Sequence, residues 1–361
     1  MSVDAPHGSS ALESSPGIDV PAVTDWLVER LPKLEPPLRF RRVGEGQSNL
    51  TYRVDAASGA VVVVRRPPLG EILQSAHDVA REHRILTGLS RAGGRVPRTL
   101  ALCEDPQVTG APFYVMEHVD GLILNRVSTA ARLSAGERAT AGRAMATTLV
   151  ALHSVDLDRA GLGDLRRPES LASRQLRRWT RQWDASKTEE LPLIDEVAEE
   201  LATRMPPERE TALVHGDYHL NNAIFGPDGT VRAVLDWELC TVGDPLADVG
   251  VMIAYWNELG AAATGFDALF REPVTELPGF PTPSELAATY ADASGRDLTP
   301  LGFWVAFAYW KIAIIVEGVY RRWLNDPANG SDAGSLRPAV ARLAGLAGDA
   351  LELPGNVGDV N

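Results

Sequence analysis

The chain is 361 residues long, 45% hydrophobic and 23% charged, a balance that excludes disorder over most of it and leaves length for two lobes. Its net charge is −13, with no run of Lys or Arg, which excludes the basic footprint of a nucleic-acid binder. Two cysteines, Cys103 and Cys240, are too few for a disulfide framework or a cysteine-rich metal site and fit the reducing cytoplasm.

In chain order, residues 1–18 lack a basic start followed by an apolar stretch and are expected as a disordered tail with no signal or anchor. Val20, Val23, Trp26, Leu27 and Leu31 recur at helical spacing and predict an amphipathic helix. Short β-favouring runs follow at 40–43, 51–54 and 60–64, joined by glycine-bearing connections as hairpins require. After Pro67-Pro68 the stripe Ile85, Leu86 and Leu89 predicts a helix over 78–89, and two further strands are expected at 99–103 and 113–117. Residues 19–119 are therefore expected to form a small lobe with a five-stranded antiparallel sheet.

From Leu122 the periodicity is mostly helical, with Met145, Leu149 and Leu152 on one stripe and further helices over 171–183 and 194–205. Residues 120–355 are expected as a second, mostly helical lobe, which makes the class α+β. Only 212–214, 223–225 and 231–235 break the pattern as short strands, the last two joined by the turn Gly226-Pro227-Asp228-Gly229. The most apolar stretch, 301–316, is interrupted by Lys311 and followed by Glu317. It falls short of the roughly 20 apolar residues of a membrane span, so a buried helix and no membrane contact are expected. Tyr255, Trp256, Trp304, Tyr309, Trp310, Tyr320 and Trp323 read as core ahead of pocket lining.

The chemistry lies between residues 213 and 250. His215-Gly216-Asp217 is followed by Asn222 and, nineteen positions after Asp217, by Asp236 at the edge of the predicted hairpin. Phosphoryl transfer requires a carboxylate to orient and deprotonate the attacking hydroxyl, and oxygen ligands for a Mg²⁺ on the phosphates. Asp217, Asn222 and Asp236 supply that set, and the hairpin brings the second aspartate back beside the asparagine. Asp244 suits a helix cap and Asp248 a structural place. His153 suits a packed helix end, while His219 suits either loop exposure or contact with substrate. No second histidine or cysteine stands at zinc-ligand spacing.

The segments His215-Gly216-Asp217…Asn222 and Leu235-Asp236-Trp237 resemble the catalytic loop H-G-D-x-x-x-x-N and the metal-binding I/L-D-W/F of the aminoglycoside phosphotransferase family, the small-molecule relatives of protein kinases. The resemblance runs over roughly residues 25–325 and implies a bilobal protein-kinase-like fold, with ATP or GTP as co-substrate and a small-molecule hydroxyl as acceptor. It implies that Asp217 is the catalytic base, that His215 braces the loop and that Asn222 and Asp236 hold Mg²⁺. Gly44, Gly46, Ser48 and Asn49 would cover the phosphates, although alone they read equally as a plain turn. Where kinases place a strand lysine this chain has Arg65-Arg66. Arg65 then takes the gripping role with Glu82 as partner, or both are simply surface residues. Met116, the Glu117 carbonyl and the Val119 N–H would meet an adenine.

Segments such as GEGQSNLTYRV and VLDWELCTVGDPLADVG are similar to the branch found as the kinase-like part of some acyl-CoA dehydrogenase proteins. That implies a hydroxyacyl thioester or related metabolite as acceptor, with Arg174, Arg177, Arg178, Arg181, Arg321 and Arg322 as candidates for the CoA phosphates. An aminoglycoside acceptor is the alternative, with choline, homoserine or a sugar behind it. The missing lysine leaves a non-catalytic nucleotide-binding scaffold as the rival class. A protein kinase is disfavoured because Gly216 stands where such enzymes place arginine.

Overall fold

Asp19 opens the ordered architecture: its side chain accepts the Ala22 N–H at 3.1 Å, one of the donors a helix start leaves without an intrahelical partner. The computed structural model describes residues 15–43, 49–69, 78–256, 272–325 and 336–352. Its contacts divide the chain into two units, Met1–Thr87 with Pro97–His118, and Gly88–Val96 with Val119–Asn361. Residues 88–96, expected in the first lobe, thus count with the second, and Val119 does too.

In the first unit, helix α1 (Val20–Arg30) is followed by strands β1 (Arg39–Val43), β2 (Leu50–Asp55) and β3 (Val61–Arg66), helix α2 (Val79–Arg91), strand β4 (Thr99–Cys103), the single turn α3 (Pro106–Thr109) and strand β5 (Phe113–Glu117). The five strands form one antiparallel sheet in the order β1-β2-β3-β5-β4. Alternation along β2 buries Leu50, Tyr52 and Val54 on one face. Val23, Trp26 and Leu27 of α1 share that core, with the Trp26 ring edge-on to Phe113 at 4.9 Å. Each such side chain contributes about 1.5–3 kcal/mol by leaving water.

Residues 15–18, expected in the tail, are held in place: the Gly17 carbonyl accepts from the Arg66 guanidinium and from the Thr109 hydroxyl, the latter at 2.8 Å, and Ile18 joins the core. Both partners lie far along the chain, so no local pattern could announce them. Residues 1–14 lie outside the described residues.

The second unit carries α4 (Val127–Ala130), α5 (Ala135–His153), α6 (Leu171–Ser186), α7 (Pro192–Thr203), the strands β6 (Ala212–Val214), β7 (Ala223–Phe225), β8 (Val231–Val234) and β9 (Thr241–Gly243), then α8 (Leu246–Trp256), α9 (Pro283–Ser294), α10 (Leu301–Asn325) and α11 (Leu336–Glu352). A capping box of Ser134 and Glu137 starts α5. β7 and β8 form the expected hairpin, with Gly229 at φ 79° in its turn. β6 pairs with β9, a strand too short to show a pattern in the sequence.

α10 packs among α6, α7, α8 and α11. Among the described residues it is the one helix long and apolar enough to cross a membrane by length and composition, and 78% of its most apolar window is buried within the fold.

Candidate active site

The β6 strand delivers His215, Gly216 and Asp217 into a turn that only glycine can make at its centre. Gly216 has φ 87°, and a Cβ there would meet the Leu239 carbonyl oxygen at 2.9 Å. The fully buried Asp248, in the first turn of α8, fixes this turn: its Oδ2 accepts the His215 N–H at 2.6 Å and its Oδ1 the Gly216 N–H at 2.8 Å. Behind Asp248 stands His153, which burial keeps neutral by lowering its pKa, against the opposing pull of Asp248. Its Nε2 lies 3.2 Å from Asp248 Oδ2 and its Nδ1 2.8 Å from the Tyr290 hydroxyl. Asp248, expected as structural, is therefore the group on which the loop hangs.

His215 is 1% exposed and ties the loop to the hairpin. Its Nδ1 accepts the Asp217 N–H at 3.2 Å, so its Nε2 carries the proton and donates to the Leu235 carbonyl at 2.8 Å. The ring packs edge-on to Trp237 at 4.6 Å. The Leu235 N–H in turn donates to the Asn222 carbonyl at 2.8 Å, which brings the backbone leading into Asp236 alongside that of Asn222.

Around the Asp217 carboxylate two side chains gather. Asn222 Nδ2 donates to Asp217 Oδ2 at 3.0 Å and to its carbonyl at 2.9 Å. His219 Nδ1 accepts the Asn221 N–H at 3.2 Å, which leaves its Nε2–H to donate to Asp217 Oδ2, also at 3.2 Å. Of the two readings of His219, loop exposure is set aside: the residue is 7% exposed and touches the carboxylate.

The donor set fits a hard divalent cation. Asn222 spends its amide N–H₂ on Asp217, which turns the amide oxygen away from that carboxylate, and Asp236 adds a half-buried carboxylate. Asp236 has φ 64°, the left-handed region that side chains other than glycine seldom enter, and such strain gathers at functional sites. Among the described residues no group of three His, Cys, Asp or Glu side chains stands at ligating distance. An ion held by one carboxylate, one amide oxygen and phosphate oxygens needs none.

In the first unit Arg65 Nε donates to Glu82 Oε2 at 2.9 Å, with side chains 11% and 2% exposed, and Arg65 also reaches the Thr51 hydroxyl at 3.2 Å. The pair, with Glu82 buried and Arg65 largely so, joins β3 to α2, and neither side chain is freely solvated. Asn49 is buried at the foot of β2, while Gly44, Gly46 and Ser48 lie outside the described residues. Met116 is buried in β5, Glu117 ends that strand and accepts the Arg98 N–H at 3.0 Å, and Val119 counts with the second unit.

Beside the catalytic loop lies a cavity of about 520 Å³ including its open side, walled mostly by apolar side chains of α6, α8 and α10. Trp304, expected in the core, lines it, and so do Phe307 and Lys311. Lys311 was legible only as the charge that breaks an apolar run. Its signal was spacing: Trp304, Phe307, Ala308 and Lys311 stand at i, i+3, i+4 and i+7 on one helix. Of the arginines expected to meet phosphates, Arg177 pairs with Glu169 at 2.5 Å and holds that carboxyl down at about 2, while Arg174 donates to the Val242 carbonyl at 2.8 Å. Arg321 is engaged with the Ala185 carbonyl, and Arg181 Nε donates to the Arg177 carbonyl at 3.3 Å. Arg178 lines the cavity and is exposed.

The sequence matches the phosphotransferase enzyme family over residues 39–296. It is 37% identical over 319 residues to Acyl-CoA dehydrogenase family member 10 of Mus musculus, covering 85% of this chain but 29% of that protein. The chain thus spans less than a third of that relative's length. Among solved structures, a candidate aminoglycoside phosphotransferase from Ralstonia eutropha is 31% identical with a TM-score of 0.74, covering 92% of this chain and 98% of its own. An aminoglycoside phosphotransferase in ternary complex with AMP-PNP and hygromycin B shares the fold at 15% identity and a TM-score of 0.60, covering 90% and 97%.

Proposed function

The chain belongs to the phosphotransferase enzyme family, whose members act on hydroxyl groups of small molecules, and from that premise we propose that it transfers the γ-phosphoryl group of ATP, with Mg²⁺, to a hydroxylated metabolite. The observation that supports this reading is the Asn222 amide bonded to the Asp217 carboxylate, with the backbone leading into Asp236 paired to Asn222. The acceptor hydroxyl binds with its proton toward Asp217. As its oxygen forms a bond to the γ-phosphorus, the bond to the β–γ bridging oxygen breaks, the proton passes to Asp217, and ADP leaves with the bonding pair.

His219 and Asn222 hold the Asp217 carboxylate in one orientation, so little reorganisation is left for the reaction. Asn222 Oδ1 and Asp236 would hold the Mg²⁺, which when bound neutralises charge on the phosphate oxygens. Arg65, oriented by Glu82, takes the phosphate-gripping place of the absent lysine, and its guanidinium can bind two oxygens at once. Met116, Glu117 and Val119, with the segment 44–49, would receive the nucleotide.

For the acceptor, a hydroxyacyl thioester or related metabolite is favoured over an aminoglycoside, because among the described residues no carboxylate lines the cavity beside the loop. A cytoplasmic location belongs to the same reading, since ATP is at hand there and the buried free thiols Cys103 and Cys240 stay reduced. Asp217→Asn is the test. Transfer from labelled ATP should fall about 10²–10⁴-fold while nucleotide affinity stays within a factor of a few; a variant that turns over at the native rate refutes Asp217 as base.

A further inference from the structure

Lys311 is a cation in the wrong place for a core helix. It sits on α10 with its Nζ donating to the Gly216 carbonyl at 2.8 Å, one residue before the catalytic Asp217. An ammonium carries three donors, and this bond uses one. Among the described residues no carboxylate lies within ion-pair distance of it. The Trp179 ring lies beneath it at 5.6 Å, and the remaining space around it is the cavity. Burial lowers its pKa, with the charges of Asp217 and Asp248 pulling the other way.

The rest of the cavity is a hydrocarbon surface. Leu171, Trp179, Val251, Trp304 and Phe307 wall it, and among the described residues its polar lining is Gln175, Thr241, Arg178, Lys311 and the Gly216 backbone. The charged lining residues among these are both cations. A polycationic acceptor would meet repulsion there and no partner, whereas an apolar chain would be desolvated along the aromatic wall. An oxygen two or three bonds from its hydroxyl could take the ammonium's idle donors.

We propose that this cavity is the acceptor subsite and that Lys311 is its specificity-determining residue, selecting a hydroxylated carboxylic acid or acyl derivative by its carbonyl or carboxylate oxygen while the apolar chain fills the space between α6 and α10. This deepens the phosphotransferase reading and rests on it. The hydroxyl then lies on the side of Lys311 nearest Asp217, and the same lysine holds both the loop carbonyl and the substrate.

Two measurements test this. Octanoate has no hydroxyl and cannot react, so calorimetry of octanoate on the native protein without nucleotide reads the cavity alone. The expected results are saturable binding that Lys311→Met weakens at least ten-fold, Lys311→Arg restores, and hygromycin B does not displace. 1-Octanol, which offers no anionic oxygen, should bind both proteins within a factor of about two. In turnover, KM across hydroxybutanoate, hydroxyhexanoate and hydroxyoctanoate should fall about four-fold per added methylene, the factor for about 0.8 kcal/mol of burial. Thermal melts confirm that each variant is folded. Failure of octanoate to bind, or equal binding by Lys311→Met, overturns the subsite even when transfer to some other hydroxyl is observed. Octanoate binding with no transfer to any acceptor overturns the parent reading and leaves the subsite standing.

Discussion

Asp244 shows how a residue's surroundings set its chemistry. It caps α8, its Oδ1 accepting the Leu246 N–H at 2.8 Å, yet burial pushes its carboxyl up to about 6. In the unfolded chain the same group titrates near 4. The folded state therefore binds the proton more tightly, and stability present below about pH 4 is lost as pH rises toward 6, by roughly 2–3 kcal/mol. Asparagine caps as well and carries no charge. Asp244→Asn should accordingly raise Tm at pH 7.5 and much less at pH 4.5; thermal melts showing the same shift at both pH values would contradict the argument. Of this, the cap was legible in the sequence, because capping is local. The burial was not, because it depends on what packs over the helix start.

At the scale of elements, α8 and the β7–β8 hairpin act as two jaws on the catalytic loop. From one side Asp248 takes the N–H groups of His215 and Gly216; from the other, the Leu235 carbonyl takes the His215 ring. Asp248→Ala leaves two buried donors without an acceptor, each costing about 1–3 kcal/mol. The expected outcome is a drop in urea midpoint and a fall in kcat with a smaller change in nucleotide affinity. Asp248→Asn, which keeps one acceptor oxygen, should be milder. A variant as stable and active as the native protein would show that the loop does not hang on α8. Several long elements were legible from periodicity: α1, α6 and α7 begin within a few residues of their predicted starts, and the stripe of Met145, Leu149 and Leu152 lies on α5. β9 was not, since three residues carry no alternation, and it forms only because β6 lies ready to pair with it.

Across the whole molecule, the first unit holds the five-stranded sheet, with Arg65 and Glu82 paired between β3 and α2, and the second holds the loop, hairpin and cavity. If the proposed Mg²⁺–nucleotide site is correct, ATP with Mg²⁺ should stabilise the protein by mass action, about 2.7 kcal/mol at a hundred-fold excess over Kd. EDTA should remove most of that rise in Tm in a thermal shift experiment. An equal rise with and without Mg²⁺ would count against Asn222 and Asp236 as its ligands.

By itself the sequence determined the order of the sheet strands and of most long helices, the α+β class and the candidate triplet of Asp217, Asn222 and Asp236. Those properties are written locally, in periodicity, in turn residues and in short fixed spacings. Tertiary structure alone decided that Asp248, 33 residues from His215, and Lys311, 95 residues from Gly216, close on the same turn. It also decided that His219 faces the catalytic carboxylate and that an apolar cavity opens beside it. Such meetings depend on how helices pack, and a side chain's long-range neighbours leave no mark in the residues next to it.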